Sequence, residues 1–103
     1  MDGTVNTNPY FFYSAGYNDN KWYVAISYVY PYNYTGTHRT DAGIYDVQTG
    51  RKVSNVSGFR FKDSTINKLI MRAYLFYCTN TDKRQWFWMP IIEEVDGSEI
   101  PFD

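Results

Sequence analysis

Aromatic residues are the feature that most restricts how this chain can fold. They make up 20% of its 103 residues, and eleven of the 21 lie between Tyr10 and Tyr34. Flat rings pack well on a pleated sheet, and a tyrosine can bury its ring while its hydroxyl stays in water. We therefore expect the N-terminal third to be a β-sheet. Core packing is the ordinary use of such rings, because a small domain needs large side chains to bury enough surface.

The clearest strand signal runs from Trp22 to Tyr30. Neighbouring side chains of a strand point to opposite faces, and one face here carries the larger residues. We expect four of them to be mostly buried: Trp22, Val24, Ile26 and Tyr28. Residues 10–13 and 86–92 are further strand candidates. Pro90 places the latter at a sheet edge, because proline cannot donate to a strand ladder.

A β-hairpin is predicted over residues 43–53, with Gln48, Thr49 and Gly50 in the turn and Gly50 in the left-handed conformation. The returning strand is expected to reach Phe61, with a bulge between Asn55 and Gly58. Residues 44–53 resemble the strand pair in blades of WD-repeat propellers. A propeller needs at least four blades of about 40 residues. The resemblance therefore extends to the hairpin alone.

One helix is predicted near residues 64–78. Asp63 offers an N-cap, and apolar residues follow at helical spacing: Ile66, Leu69, Ile70, Ala73, Tyr74 and Tyr77. A buried strand over residues 72–78 is the competing interpretation, because periodicity does not separate the two. The predicted fold class is α+β, an antiparallel sheet of about five strands with this one helix. An all-β sandwich or small barrel is the alternative.

Length and charge predict a single domain over residues 1–103 with polar ends. Residues 1–8 read as a flexible arm. Residues 1–92 carry 10 basic and 6 acidic side chains, whereas residues 93–103 carry five acidic ones and form an acidic C-terminal tail. No apolar run is long enough to cross a membrane, and no signal-peptide pattern is present. Because Cys78 has no second cysteine to pair with, we expect a cytoplasmic protein without membrane attachment.

The sequence carries no local motif for catalysis, for a metal or for a cofactor, and we expect none of the three. A net charge of -1 argues against nucleic acid, because such binding depends on neutralising phosphates. Cations do neighbour rings in residues 83–88, so a single-strand nucleic-acid binder stays an alternative. A second alternative is a small enzyme with an aromatic-lined pocket around His38, Asp41 and Asp46.

The loop over residues 31–42 is the predicted binding site. Twelve residues without secondary structure are long for a compact domain, and such loops usually carry function. The expected contact residues are of types that anchor interfaces: Tyr30, Tyr32, Tyr34, His38 and Arg39. The three tyrosines alternate in sequence, so they are also the expected components of a carbohydrate-binding platform.

These observations predict a small non-enzymatic protein-binding module with a Tyr-rich surface. A domain of this size without chemistry resembles, in type only, immunity proteins and inhibitors carried by phages and mobile elements. The expected partner is another protein or a second copy of the chain. A homodimer is expected through Trp86, Trp88 and Ile91 of the predicted edge strand, because a small body does not cover so many rings.

Overall fold

The structure is a computed structural model, and it describes residues 4–7, 9–12, 17–66, 68–70, 82 and 84–95. The chain divides into two compact units, Met1–Ile70 and Met71–Asp103. The strands of the described residues all lie in the first unit: β1 Tyr23–Ile26, β2 Val29–Tyr30, β3 Gly43–Asp46, β4 Lys52–Ser54 and β5 Phe59–Arg60. A membrane-spanning helix, judged by length and apolar character, is not found in this described part.

The strands form two separate sheets. β1, β3 and β4 make an antiparallel sheet with β3 in the middle, and Tyr23 of β1 lies opposite Asp46. β2 and β5 make a parallel pair in which Val29 lies opposite Phe59. The chain changes sheets at Ser27, whose Oγ donates a 2.7 Å hydrogen bond to the Ser57 carbonyl. The strand predicted over residues 22–30 is therefore two strands with different partners.

The predicted β3–β4 hairpin is confirmed, and Asp46 organises its turn. The Asp46 Oδ1 accepts hydrogen bonds from the backbone N–H groups of Gln48 (2.8 Å) and Thr49 (3.3 Å). Gly50 has a φ of 71°, the left-handed conformation that glycine adopts without strain. The bulge was expected in the wrong place, because the register shifts between Ile44 and Tyr45 and residues 55–58 form no strand.

The core of the first unit is small. Ala42, Ile44 and Val56 are buried, and Tyr23 and Tyr28 pack against them. Trp22 is 56% exposed, so its predicted burial is wrong. Val24, Ile26 and Tyr28 are half-buried. The break at Ser27 shifts the alternation by one residue and brings Tyr23 and Tyr28 to the same core, so regular alternation over residues 22–30 does not predict which side chains pack there.

The α+β prediction is wrong, since the described residues contain no helix and their only antiparallel sheet has three strands. In the predicted helix, residues 64–66 and 68–70 form turns or irregular structure, and residues 71–78 lie outside the described residues. The Asp63 Oδ1 does accept a 2.9 Å hydrogen bond from the Thr65 N–H. Such a contact closes an Asx turn that needs no helix behind it.

The other strand predictions also fail. Residues 10–12 and 86–92 adopt no strand, and residue 13 lies outside the described residues. An edge strand with Pro90 therefore does not form. Within the predicted arm and tail, residues 4–7 and 93–95 are exposed, and the other residues of both segments lie outside the described ones.

Candidate functional site

The loop over residues 31–42 connects β2 to β3 and contains two turns of its own. The Tyr34 N–H donates a 3.1 Å hydrogen bond to the Pro31 carbonyl, and the Ala42 N–H donates a 3.3 Å hydrogen bond to the Arg39 carbonyl. Pro31 is the first residue of the first turn, and its ring restricts the backbone there. These two hydrogen bonds order parts of the loop without any contact to the rest of the chain.

Tyr30 fastens the loop to β2. Its side chain is 7% exposed, and its ring stacks on that of Tyr34 with the centroids 4.4 Å apart. The Tyr30 hydroxyl accepts a 2.8 Å hydrogen bond from the Arg39 N–H and lies 2.8 Å from Nδ1 of His38. One buried tyrosine therefore holds three residues of the loop.

His38 is enclosed on several sides. Its ring meets that of Tyr30 edge to face at 5.8 Å, and the ring of Tyr28 lies 6.4 Å away. A Cβ atom at Gly58 would overlap the imidazole, so glycine is what lets the backbone after β4 approach it. Nε2 of His38 is buried and has no hydrogen-bond partner in the part of the chain that the structure describes.

Arg39, Asp41 and Tyr28 form a closed group at the surface. The Arg39 Nε and Nη2 donate to the two carboxylate oxygens of Asp41 at 3.1 and 2.8 Å. The Tyr28 hydroxyl donates to Asp41 Oδ2 at 2.8 Å, and the Arg39 guanidinium lies 4.6 Å from the centre of the Tyr28 ring. Each side chain contacts both others, which fixes an exposed ion pair in one geometry.

These contacts set the protonation of the group. Partial burial alone would raise the pKa of the Asp41 carboxyl, but hydrogen bonds from Arg39 and Tyr28 outweigh it and hold that pKa below its usual value. Burial, and then the hydrogen bond to Asp41, raises the pKa of Tyr28 to about 12. At neutral pH the site therefore presents a carboxylate, a guanidinium and a neutral phenol.

A shallow depression of about 510 Å³ lies on the outer side of the loop. Its lining comes from one short stretch of chain: Tyr34, Thr37, His38, Arg39, Thr40 and Asp41. The rim carries both members of the ion pair, and their side chains are 45% and 49% exposed. Its chemistry is mixed, with a phenol ring, an imidazole, three hydroxyls and a balanced pair of charges.

The structure brings together four of the five predicted binding residues, but it gives them different roles. Tyr30, Tyr34 and His38 hold the loop from within, whereas Arg39 lies at the surface. Tyr32 is 48% exposed. Sequence reasoning missed the contributions of Tyr28 and Gly58. Tyr28 had been assigned to the core by strand alternation, and no sequence signal marks a glycine that a distant ring will contact.

The arrangement bears on two other predicted sites. Tyr30 cannot share a flat sugar-binding surface with Tyr32 and Tyr34, because it is buried with Tyr34 stacked on it. No hydrogen bond in the described part of the chain joins His38 to Asp41 or Asp46. Asp46 lies instead in the hairpin turn, where a 3.0 Å hydrogen bond from Lys21 lowers the pKa of its carboxyl. Neither of these two carboxylates therefore orients His38 in the described part of the chain.

The residues predicted for self-association belong to the second unit. Trp86 and Trp88 are 77% and 79% exposed, and Ile91 is also exposed. Over the described ranges, no three His, Cys, Asp or Glu side chains lie close enough to hold a metal ion.

The chain was compared with models of protein families, with curated proteins and with solved structures, and none of them matches it.

Proposed function

We propose that the chain is a small protein-binding module whose contact surface is the loop over residues 31–42. The observation that carries the proposal is that one buried residue, Tyr30, contacts the loop at three positions while Tyr32 and Arg39 face solvent. Ordering a free loop on binding costs affinity, and a loop that is already ordered avoids most of that cost. The fold therefore supports recognition by this loop.

The chemistry of the surface favours a protein as the partner. Tyrosine and arginine are among the residue types that most often anchor protein interfaces, and tyrosine buries much area for little lost entropy. Arg39 is already paired with Asp41 at 2.8 Å, so a partner covers a neutral pair and not a lone charge. Burying an unpaired charge costs more than burying a pair, and a prearranged pair adds specificity.

The proposal includes the two partners expected from the sequence, another protein and a second copy of the chain. The loop is directed at a foreign protein, in the manner of an immunity protein or an inhibitor from a mobile element, and a second copy of the chain binds at Trp86, Trp88 and Ile91. Cys78 is the one cysteine of the sequence, and this composition supports a reducing compartment such as the cytoplasm. The proposed activity is binding without catalysis.

Quantitative affinity capture tests the proposal. Three tagged proteins are used on an extract of the cells that make the chain: the wild type, the loop variant Tyr32→Ala/Arg39→Ala, and a control variant Val47→Ala/Arg51→Ala. The control removes one apolar side chain and one arginine from the exposed hairpin turn. We expect one protein to be enriched by the wild type and the control, and to bind the loop variant at least about tenfold more weakly once purified.

Folding is checked first, by requiring all three proteins to melt within about 4 °C of one another, the shift that about 1 kcal/mol produces. Equal binding of the captured protein to the loop variant and to the wild type would contradict the assignment of the loop. Capture of the same proteins at the same level by all three tagged proteins would also contradict that assignment.

A further inference from the structure

The single histidine of the sequence lies where the loop folds back on β2, and its two ring nitrogens have different surroundings. Nδ1 lies 2.8 Å from the Tyr30 hydroxyl. Nε2 is buried and finds no partner among the described residues. A buried polar atom without a partner is uncommon in native proteins, and each one calls for an explanation.

The proton on the Tyr30 hydroxyl can be placed by counting donors and acceptors. The Arg39 N–H donates to the Tyr30 oxygen, so the hydroxyl proton is the one left to point at Nδ1 of His38. Nδ1 is then an acceptor, and the neutral imidazole carries its proton on Nε2. The opposite tautomer would leave both the Tyr30 proton and Nε2 unmatched, whereas this one leaves only the Nε2–H.

A second proton on the imidazole upsets this arrangement. Nδ1 becomes a donor, so the Tyr30 hydroxyl proton loses its acceptor, and a positive charge enters a site in which no described residue accepts from Nε2–H. The ionisable groups around the ring are Tyr28, Tyr30, Tyr34, Arg39 and Asp41. Arg39 and Asp41 neutralise each other, and Gly58 behind the ring is uncharged. Among the described residues next to the ring, no unpaired negative charge compensates the added proton.

We propose that His38 is a proton-sensitive latch, which holds the loop over residues 31–42 against Tyr30 at neutral pH and releases it on acidification. Imidazole is the side chain that takes up a proton between about pH 5 and pH 8. Once protonated, His38 reaches full solvation by leaving its place against Gly58. The Arg39 N–H then loses the hydroxyl that it donates to. The latch is a property of the free protein and stands apart from the binding proposal.

Amide hydrogen exchange measured by NMR tests the latch. Rates are divided by the intrinsic exchange rate at each pH, so that only protection by structure is compared. From about pH 7.5 to about pH 5.5 we expect the protection of the Arg39 amide to fall about tenfold. The Asp46 amide, which donates to the Arg51 carbonyl in the hairpin, serves as the internal reference and should keep its protection.

The matched control is His38→Asn, whose Oδ1 can accept from the Tyr30 hydroxyl but does not titrate. Its Arg39 protection should be independent of pH, whether the loop is open or closed in that variant. Tyr30→Phe lacks the hydroxyl and should be equally insensitive. A wild-type protein with constant protection, or a fall of equal size in His38→Asn, would overturn the proposal. So would a long-range ¹H–¹⁵N spectrum near neutral pH that places the imidazole proton on Nδ1.

Discussion

Ile44 is the side chain on which the small core depends most. It is 1% exposed and packs with Ala42, Val56 and the rings of Tyr23 and Tyr28. Because only a few buried apolar residues share the burial, removing one leaves a cavity that its neighbours cannot fill. Truncation at this position should therefore be among the most destabilising changes in the first unit.

We expect Ile44→Ala to lower the free energy of unfolding by about 2–5 kcal/mol. Ile26→Ala, at a half-buried position of β1, should cost about half as much, and Val53→Ala, at an exposed position of β4, less than about 0.5 kcal/mol. Urea denaturation of the three variants measures the differences. Equal losses for Ile44→Ala and Val53→Ala would contradict the described core.

Asp46 makes part of the stability depend on pH. A hydrogen bond from Lys21, followed by those from Gln48 and Thr49, holds the pKa of its carboxyl below its usual value despite some burial. The stability from this group is complete above the unfolded value and is lost as the pH falls toward the folded one, because the unfolded chain takes up the proton first.

The change that tests this is Asp46→Asn. We expect the variant to unfold at a lower urea concentration than the wild type at pH 7, because the pair with Lys21 at 3.0 Å is lost. The gap in midpoint should narrow below about pH 4. Lys21→Met breaks the same pair from the other side and should show the same narrowing. A gap that stays constant from pH 7 to pH 3 would count against the role given to the carboxylate.

Among the elements, the β3–β4 hairpin depends on a single backbone conformation at Gly50. A Cβ atom there would meet nothing within 4 Å, so a substitution tests the φ of 71° and not packing. We expect Gly50→Ala to cost about 1–2 kcal/mol, the strain of an L-residue in the left-handed region. Gly50→Asn should cost less, because asparagine tolerates that region. Thermal melts of both variants measure the difference. A Gly50→Ala variant as stable as Gly50→Asn would contradict the left-handed conformation of Gly50.

The hairpin was predictable because its signals are local. Gly50 and the apolar residues around it specify a turn and two short strands without help from elsewhere in the chain. The helix near residues 64–78 was predicted from equally local signals. The Asp63 contact, however, closes a turn whether or not a helix follows it. A cap motif and an apolar period are compatible with more than one outcome, and tertiary contacts decide between them.

Long-range contacts account for what the sequence could not reveal. The regular alternation over residues 22–30 does not predict the break at Ser27. That break involves a hydrogen bond to Ser57, thirty residues later in the chain. The loop was correctly identified as a distinct segment from its length and composition. Its internal order was not, because it depends on the hydroxyl of Tyr30 and on the approach of Gly58, and neither shows in a pattern.

At the scale of the whole molecule, the exposed tryptophans of the second unit predict self-association. Trp86 and Trp88 are 77% and 79% exposed, and apolar surface of that size usually marks a contact. Light scattering at high micromolar concentration should give the mass of a dimer. Trp86→Ser/Trp88→Ser should give a monomer, whereas Trp22→Ser, which removes an exposed ring from the first unit, should stay dimeric. A wild-type protein that is strictly monomeric would refute the prediction.

The parallel pairing of β2 with β5 also dictates the order in which the first unit can assemble. β3 and β4 meet across a five-residue turn, and such hairpins close in about 1–10 μs. Val29 must instead find Phe59, thirty positions later in the chain, and non-local contacts of this kind are slow to form. The loop over residues 31–42 lies inside that span, and Gly58 stands at its far end. We therefore expect the contact of the loop with Gly58 to form after the hairpin, so a chain still emerging during synthesis has the hairpin before it has that contact.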